Sequence, residues 1–331
     1  MRREWAAALG NAGAFVYAAG YRSGVRVLCT TPLHHSYALG CGLLATLWAG
    51  GRLILAPAPL TPAGWLAAMR AERADIVQSV PFLYRCLLEA ASDSAGTSLR
   101  RCIAAGEALA PDLARRWRDR FGATLCNHYG TTETGMVSLD VAGTAESTGP
   151  PLPGVAVRAV DAEGGQPVGP VRSGLLQIRC PGRPPSYCGQ PGLTRDRLRG
   201  GWFATDDIGR VDAACRVVVE SRRGRIINVA GNKVDPREVE LALLSLPGVR
   251  EAAAVGRQRD AGTEEVWAFL VATPGTRADQ VRRSLAASLS STKLPRRLVM
   301  VDELPRTATG KVRLGVLLAS AERPDEEERR E

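Results

Sequence analysis

The chain has 331 residues, 45% hydrophobic and 23% charged, which is typical of a soluble globular protein with one large or two smaller domains. The formal net charge of +9 invites a nucleic-acid partner, but acidic and basic residues interleave and aromatic residues are only 5%, so we expect no nucleic-acid binding. No apolar run is long enough to span a bilayer and the N-terminus lacks a signal-peptide pattern, so we expect a cytoplasmic protein with no membrane segment.

Residues 1–148 alternate between helical and strand-like patterns. The pattern predicts helices at 4–20, 40–50 and 61–72, the last opened by Thr61 and Pro62, and strands at 25–32, 52–58 and 74–80. The alternation continues to about residue 130. Strands that alternate with helices of this length predict parallel βαβ units, so the fold class is α/β.

Two further regions follow, each with a different sequence pattern. Residues 149–221 are short strands punctuated by Gly and Pro, which predicts a small β-barrel or sandwich. Residues 226–318 predict a compact α+β domain, with a helix opened by Asp235 and Pro236. The basic segment 222–225 separates the two as a predicted hinge, and 319–331 is predicted to be a solvated charged tail.

The eight cysteines form no CxxC pair and do not combine with the three histidines at zinc spacing. We interpret them as small buried hydrophobes in a reducing compartment.

Two familiar nucleotide fingerprints are misleading here. GCGLLA (40–45) fits a loose dinucleotide pattern, but the acidic residue required about twenty positions later is missing, so helix packing is favoured. TATGKV (307–312) resembles the end of a P-loop, but Pro305 and Val312 occupy positions where glycine and Ser/Thr are needed.

The stretch NHYGTTETG (127–135) places hydroxyls and one carboxylate on a glycine-hinged loop after a strand. Hydroxyls can bind phosphate oxygens and Glu133 can hold Mg²⁺, although a Thr/Gly-rich turn would have the same composition. In GGWFATDDIGRVD (200–212), Asp206 and Asp207 end a strand, where a carboxylate can accept both ribose hydroxyls; a charged β-turn is the alternative.

Lysine is scarce: the chain has only Lys233, Lys293 and Lys311 among 43 basic residues. The third lies in LPRTATGKVRL (304–314). Together with TPLHHSYALG, NHYGTTE, GWFATDD and SRRGRIINVAGNKVDPREVE, in this order and spacing, that segment resembles the adenylate-forming superfamily of acyl- and aryl-CoA synthetases, peptide-synthetase adenylation domains and luciferases. The resemblance covers residues 2–318.

The resemblance implies a reaction and a set of roles. ATP and a carboxylic acid form an acyl-adenylate with loss of pyrophosphate, and a thiol of CoA or of phosphopantetheine then takes the acyl group. Lys311 would be the mobile catalytic lysine that bridges the carboxylate and the α-phosphate, because a compact ammonium fits a gap that a planar guanidinium would not. Glu133 would bind Mg²⁺.

The remaining implied roles fall into four groups. The nucleotide (ATP or AMP) would be bound by Tyr129, Gly130, Thr132, Asp207 and Arg222. The acyl pocket would be lined by His35, Ser36, Tyr37, Ala38, Gly106, Asn127 and His128, and His35 would also be a catalytic residue together with Lys311. Arg223 and Gly224 would form the hinge, and Asn228 and Gly231 would line the thiol channel.

The sequence departs from the family pattern in several places. Asn228 stands where many relatives carry lysine, which weakens the case for a normal thioester-forming step, and Leu175 stands where glutamate is usual. A loop resembling S-G-T-T-G-x-P-K-G, which wraps the phosphates in relatives, should precede the helix at 4–20, so we expect a chain that begins after the family's N-terminal subdomain and exposes the surface that this subdomain covers.

Three interpretations stay open at this point. The chain activates a carboxylic acid, with a partner chain or a second copy supplying the missing part; or it is a degenerate relative that binds an acyl-thioester or carrier protein without using ATP; or it is a fragment of a longer ligase. Ser36, Tyr37 and Ala38 replace the aspartate of amino-acid-activating relatives, which favours a fatty, short-chain or aryl acid. Basic residues at 222–225 and 282–297 would suit an acidic acyl carrier protein.

Overall fold

The structure is a computed structural model that describes residues 1–55, 61–90, 98–161, 166–182, 184–230, 232–260, 263–307 and 311–322. The chain divides into two compact units, Met1–Glu220 and Ser221–Glu331. The division falls one residue before the predicted hinge at 222–225. Among the described residues, no helix has the length and apolar character needed to cross a membrane.

The first unit begins as a series of alternating helices and strands. Its strands are β1 (Arg26–Cys29), β2 (Arg52–Leu55), β3 (Ile76–Ser79), β4 (Arg101–Ala104), β5 (Thr124–Thr131) and β6 (Gly135–Asp140). Its helices are α1 (Trp5–Ala19), α2 (Ala45–Trp48), α3 (Pro62–Ala71), α4 (Pro81–Ala90) and α5 (Pro111–Phe121), and a π-helical segment, Ala38–Leu44, leads into α2. The predicted helix at 40–50 is therefore present, but its first half is a π-helix, which has a larger radius than an α-helix. Residues 56–58 of the strand predicted at 52–58 lie outside the described residues.

These six strands form one sheet in the order β2-β1-β3-β4-β5-β6. The pairs from β2 to β5 are parallel and only β6 runs antiparallel to its neighbour. Parallel strands joined by helices need cover on both faces, and the apolar residues divide accordingly. One core contains Phe15 of α1, and the other contains Tyr84 and Trp117 of α4 and α5.

Local sequence signals explain where several elements start and how they pack. The Thr61 hydroxyl accepts a hydrogen bond from Gly64 N at 3.1 Å and so caps α3, as the sequence predicts. Gly42 supports helix packing as the function of the GCGLLA segment, because a Cβ there would lie 3.1 Å from Cys29 Sγ and 3.2 Å from Gln78 Oε1. The missing side chain lets the π-helical segment approach β1 and β3.

The second part of the first unit is an antiparallel sheet, whose last strand continues two residues past Glu220. It contains β7 (Ala156–Val160), β8 (Gly174–Arg179), β9 (Leu198–Arg199), β10 (Trp202–Val211) and β11 (Val217–Arg222), with helix α6 (Pro191–Arg197) before β9. The order β11-β10-β8-β7, with β9 on β10, is an open path among the described residues, so the predicted barrel or sandwich is a single five-stranded sheet there. On its outer side β7 has one isolated bridge, from Val160 to Pro167, and pairs with no further strand among the described residues, so this edge of the sheet is open.

The second unit is a small α+β domain. A 3₁₀ turn (Arg223–Arg225) precedes the hairpin β12 (Ile227–Val229) and β13 (Asn232–Val234), and a three-stranded sheet follows, formed by β14 (Val249–Asp260), β15 (Thr263–Ala272) and β16 (Arg297–Met300). Helices α7 (Pro236–Leu244) and α8 (Ala278–Ala286) share one apolar core with this sheet, whereas α9 (Leu314–Glu322) shares another. Asp235 caps α7 by accepting from Arg237 N at 2.9 Å, as the sequence predicts.

Two predictions need correction. Residues 319–322 of the predicted charged tail belong to α9, because Leu317 is buried and holds the helix against the sheet; residues 323–331 lie outside the described residues. The interpretation of all cysteines as buried is wrong for two of them: Cys188 and Cys215 are exposed, whereas Cys29, Cys41, Cys102 and Cys126 are buried.

Candidate functional site

The predicted site residues of the first unit collect at one edge of its parallel sheet. Residues 35–37 follow β1, Gly106 follows β4, and residues 127–131 are the last residues of β5. The carboxyl ends of parallel strands share an edge, and ligands of open α/β sheets bind there. Segments that are about ninety residues apart in sequence thereby become neighbours, as in the 3.4 Å contact between the Ser36 and Thr132 hydroxyls.

Tyr129 and Asp207 come together from the two sheets of the first unit. The Tyr129 hydroxyl donates to Asp207 Oδ2 at 2.6 Å. Asp207 is also fixed through its backbone, because its N–H donates to the Thr205 hydroxyl at 3.1 Å and that hydroxyl donates to Leu176 O at 2.8 Å. The structure thus holds a carboxylate of defined orientation next to the end of β5.

The two adjacent aspartates have different partners. Asp206 is bound by both terminal nitrogens of the Arg197 guanidinium, at 2.6 and 2.9 Å, and this hydrogen-bonded pair raises the pKa of Arg197. Asp207 contacts Tyr129 instead. Of the two carboxylates, Asp207 is therefore the one that lies beside the predicted nucleotide residues.

Glu133 lies in the loop between β5 and β6, where its Oε1 accepts a hydrogen bond from the Tyr187 hydroxyl at 2.9 Å. Burial, followed by this bond and the charge of Glu133, raises the pKa of Tyr187 to about 12, so the phenol keeps its proton at neutral pH. Among the described residues no group of three or more His, Cys, Asp or Glu side chains could hold a metal. One carboxylate beside an exposed Thr132 hydroxyl fits Mg²⁺, which takes one or two carboxylates and completes its shell with phosphates and water.

The predicted acyl-pocket residues differ in how exposed they are. Ala38, Asn127 and His128 are buried, whereas His35, Ser36 and Tyr37 are half-buried. The Tyr37 hydroxyl donates to Ile103 O at 2.8 Å and Asn127 Nδ2 donates to Ser147 O at 2.9 Å. These two side chains therefore tie the edge of the sheet together, whereas Gly106 is exposed and His35 and Ser36 are partly open to solvent.

His128 is held inside the protein on every side. Its Nδ1 lies 2.8 Å from Ser138 O, which can only accept, so Nδ1 carries the proton, and Nε2 faces the Cys41 thiol at 3.4 Å. Phe15 and Tyr37 pack against the ring. Desolvation outweighs the Ser138 bond and lowers the pKa of His128 to about 4, so the imidazole is neutral at physiological pH.

We expect His128 to make the protein acid-sensitive. Its pKa is about 4 when folded and about 6.5 when unfolded, so below pH 6.5 the unfolded chain binds the extra proton first. The contribution of His128 to the free energy of unfolding is fully present above pH 6.5, and about 3 kcal/mol of that free energy is lost as the pH falls to 4. Urea unfolding of the wild type and His128→Gln across this range measures the effect, and the variant should lose that part of the pH dependence. His34→Gln, at an exposed position, should keep it; equal pH dependence in His128→Gln and the wild type would contradict the assignment.

The hairpin after the candidate metal ligand is fixed against α1. The Asn11 side-chain amide donates to Met136 O at 2.8 Å and accepts from Met136 N at 2.9 Å. Gly135, the residue before, has φ +79°, and a Cβ there would lie 2.5 Å from Asn11 Oδ1 and 2.6 Å from Arg3 Nη1. Glycine is required here by conformation and by space.

We expect Gly135→Ala to lower the free energy of unfolding by about 2–3 kcal/mol, because left-handed backbone strain adds to the clash. Gly10→Ala is the matched control. Gly10 lies in α1 with nothing within 4 Å of a Cβ, so alanine there should stabilise the protein by up to about 1 kcal/mol. Thermal and urea unfolding of both variants measures the difference, and a neutral Gly135→Ala would show that the hairpin relaxes.

The remaining predicted site residues lie in the second unit or next to it. Lys311 is exposed, and it pairs with Thr307 through two hydrogen bonds: Thr307 N donates to Lys311 O at 2.8 Å, and Lys311 N donates to Thr307 Oγ1 at 3.2 Å. Asn228 is exposed on β12 and its N–H donates to Glu264 Oε2 at 2.7 Å. Arg222 and Arg223 are exposed, and Gly231 lies outside the described residues.

The structure shows the surroundings of Gly224, the predicted hinge glycine, and of Leu175, which stands where glutamate is usual. Gly224 has an ordinary φ and nothing within 4 Å of a Cβ, so this conformation does not require glycine, and its role as a hinge stays a prediction. Leu175 is buried on β8, opposite Val160 on one side and Ile208 on the other. An apolar side chain suits that position, where glutamate would be desolvated.

Sequence reasoning missed Tyr187 and Arg197, which contact Glu133 and Asp206. Both lie in a Gly/Pro-rich stretch that reads as a connecting loop, and the contact between Tyr187 and Glu133 joins residues 54 positions apart. A tyrosine in a chain with only six was the sole available signal.

Residues 5–187 match the AMP-binding enzyme family and residues 238–311 match the AMP-binding enzyme C-terminal domain. The chain belongs to the AMP-binding enzyme family.

Curated relatives have aromatic acids in their names. The chain is 34% identical over 303 residues to benzoate–CoA ligase of Thauera aromatica, a match that covers 88% of this chain and 58% of the relative. It is 33% identical over 299 residues to feruloyl-CoA synthase of an Amycolatopsis species, covering 88% of this chain and 60% of the relative. The chain therefore spans about three-fifths of the length of these relatives.

Solved structures agree on the fold. ATP-bound MatB from Rhodopseudomonas palustris has a TM-score of 0.86 at 28% identity, over 96% of this chain and 64% of MatB. The amide bond synthetase McbA from Marinactinospora thermotolerans has a TM-score of 0.83 at 30% identity, over 95% of this chain and 66% of McbA. The predicted adenylate-forming fold class is confirmed.

Proposed function

We propose that this chain takes part in the ATP-dependent activation of an aryl carboxylic acid as an acyl-adenylate, followed by transfer of the acyl group to a thiol. The observation that carries the proposal is the convergence of Tyr129, Thr132, Glu133 and Asp207 at one edge of the first unit, with Tyr129 and Asp207 joined at 2.6 Å. The family match supports this function, and the relatives named for benzoate and feruloyl substrates favour an aromatic acid.

The first half-reaction needs charge stabilisation more than covalent help. A carboxylate oxygen attacks the α-phosphorus of ATP, and the bond to the pyrophosphate oxygen breaks. Asp207 would accept from the ribose hydroxyls and so fix the nucleotide, Thr132 would donate to phosphate oxygens, and Lys311 would stabilise charge between the acid and the α-phosphate. Bound through Glu133, Mg²⁺ would neutralise phosphate charge.

The half-buried residues after β1 would meet the acid. Ser36 and Tyr37 are uncharged, and no acidic side chain stands beside them in the sequence to pair with an amino group. An uncharged wall favours an aryl acid over an amino acid, since an unpaired ammonium would be costly to desolvate. Comparing the acid-dependent release of pyrophosphate with benzoate, hydroxybenzoates and amino acids tests this preference; an amino acid as the best substrate would overturn it.

The second half-reaction needs a molecule that accepts the acyl group from the adenylate. CoA is named in the two curated relatives described above. An acyl carrier protein is a further proposed acceptor, whereas a second copy of the chain is a proposed partner that would complete the site. Asn228, where the resemblance leads us to expect lysine, weakens the case for a thioester-forming step. Transfer to an amine is the second candidate, since a neighbour of similar fold is named as an amide bond synthetase. Supplying CoA, a phosphopantetheinylated carrier or a simple amine to the adenylate separates these outcomes by product mass.

A further inference from the structure

The hydroxyl of Tyr187 is placed to control the one carboxylate that we assign to the metal. It donates to Glu133 Oε1 at 2.9 Å, so one oxygen of that carboxylate is hydrogen-bonded and the second oxygen is the better candidate ligand for a cation. Tyr187 comes from the segment between β8 and α6, which the proposed mechanism does not otherwise use.

The surroundings of Tyr187 hold it firmly in this position. The residue before it, Ser186, exchanges two backbone hydrogen bonds with Arg2, at 2.7 and 3.0 Å. The N–H of Tyr187 donates to the Thr194 hydroxyl at 2.9 Å, and its ring lies 6.5 Å from that of Phe203. The backbone and the hydroxyl of Tyr187 are therefore held by different parts of the first unit.

The chemistry of the two groups gives this hydrogen bond its direction. A phenol O–H donates and a carboxylate oxygen accepts, so Tyr187 is the donor and Glu133 is the acceptor. Arg197 lies close enough to influence both groups while its guanidinium is held by Asp206. A hydrogen-bond donor to one oxygen of a metal-binding carboxylate orients the other oxygen. Hydrogen-bond partners of metal ligands commonly have this effect.

We infer that Tyr187 is a positioning residue that orients Glu133 toward the Mg²⁺ of the bound nucleotide, an inference that rests on the proposed function. Removing its hydroxyl should leave the fold and the nucleotide contacts intact and weaken the coupling between Mg²⁺ and ATP. The coupling is measured as the ratio of the ATP dissociation constant in EDTA to that in Mg²⁺.

The experiment is titration calorimetry of ATP binding to the 331-residue chain, with and without Mg²⁺, for the wild type and four variants. Tyr187→Phe should reduce the ratio about tenfold and leave the dissociation constant in EDTA unchanged. Glu133→Gln should bring the ratio close to one, and Glu133→Gln/Tyr187→Phe should match Glu133→Gln. Tyr17→Phe, at a tyrosine that is 81% exposed, should match the wild type.

The outcomes separate this inference from the proposed function. A wild-type ratio that falls in Glu133→Gln but not in Tyr187→Phe would overturn the inference and leave the function standing. Equal loss in EDTA and in Mg²⁺ for Tyr187→Phe would also overturn it, because that result indicates a structural role. No ATP binding by the wild type, or a ratio of one, would overturn both.

Discussion

Lys311→Ala should reduce the rate of adenylate formation by about 10²–10³-fold, because a positive charge directed at the developing negative charge would be lost. The substitution should change stability by no more than about 0.5 kcal/mol, since the side chain is exposed and the loop is held by backbone groups. Hydroxylamine trapping of acyl groups with ATP, Mg²⁺ and the best acid measures the rate.

Two further variants sharpen this prediction. Lys311→Arg keeps the charge but replaces a compact ammonium by a planar guanidinium, so it should recover only a small part of the activity. Lys293→Ala is the matched control: it removes a lysine that pairs with Glu238 at 2.7 Å in the same unit, and adenylate formation should be unchanged. If Lys311→Ala and Lys293→Ala behave alike, Lys311 is an ordinary surface charge.

Asp207→Ala should weaken nucleotide binding by about 10–100-fold, because a charged acceptor contributes roughly 1.5–3 kcal/mol through its hydrogen bonds. Tyr129→Phe removes only the 2.6 Å donor to that carboxylate and should cost less. Calorimetry with AMP, which lacks the β- and γ-phosphates, isolates the contribution of the ribose end of the site.

The neighbouring aspartate provides the control for this site. Asp206→Asn keeps an oxygen that can accept from Arg197 and should leave AMP affinity within about twofold of the wild type. Asp207→Asn, of the same size as the native residue, should lie between the wild type and Asp207→Ala. Equal effects at positions 206 and 207 would show that the pair acts through net charge and that neither carboxylate binds the ribose.

Much of the fold could be predicted because its signals are local. The cap residues Thr61 and Asp235 start α3 and α7 through bonds to residues two or three positions away, and the alternation of strands and helices specifies a parallel sheet. The carboxyl edge of such a sheet collects the ends of its strands, which agrees with the proximity of residues 35–37 and 127–133 that the family resemblance implies.

The missed features depend on contacts between distant segments. No local pattern shows that Tyr187 binds Glu133, or that the Nε2 of His128 faces Cys41 across 87 positions. The open edge of the second sheet depends on where Pro167 returns to Val160, and α9 depends on an apolar face of a sheet formed earlier in the chain. These contacts are determined by tertiary packing, which the local periodicity of the sequence does not reveal.

The most direct test of the proposed function is pyrophosphate release by the purified 331-residue chain with ATP, Mg²⁺ and a panel of benzoate, hydroxybenzoate, cinnamate-type, short-chain and fatty acids, with Lys311→Ala measured beside it. We predict release that depends on an aryl acid and falls at least about a hundredfold in Lys311→Ala. Release that is absent with every acid, or that is equal in Lys311→Ala, would contradict adenylate formation by this chain.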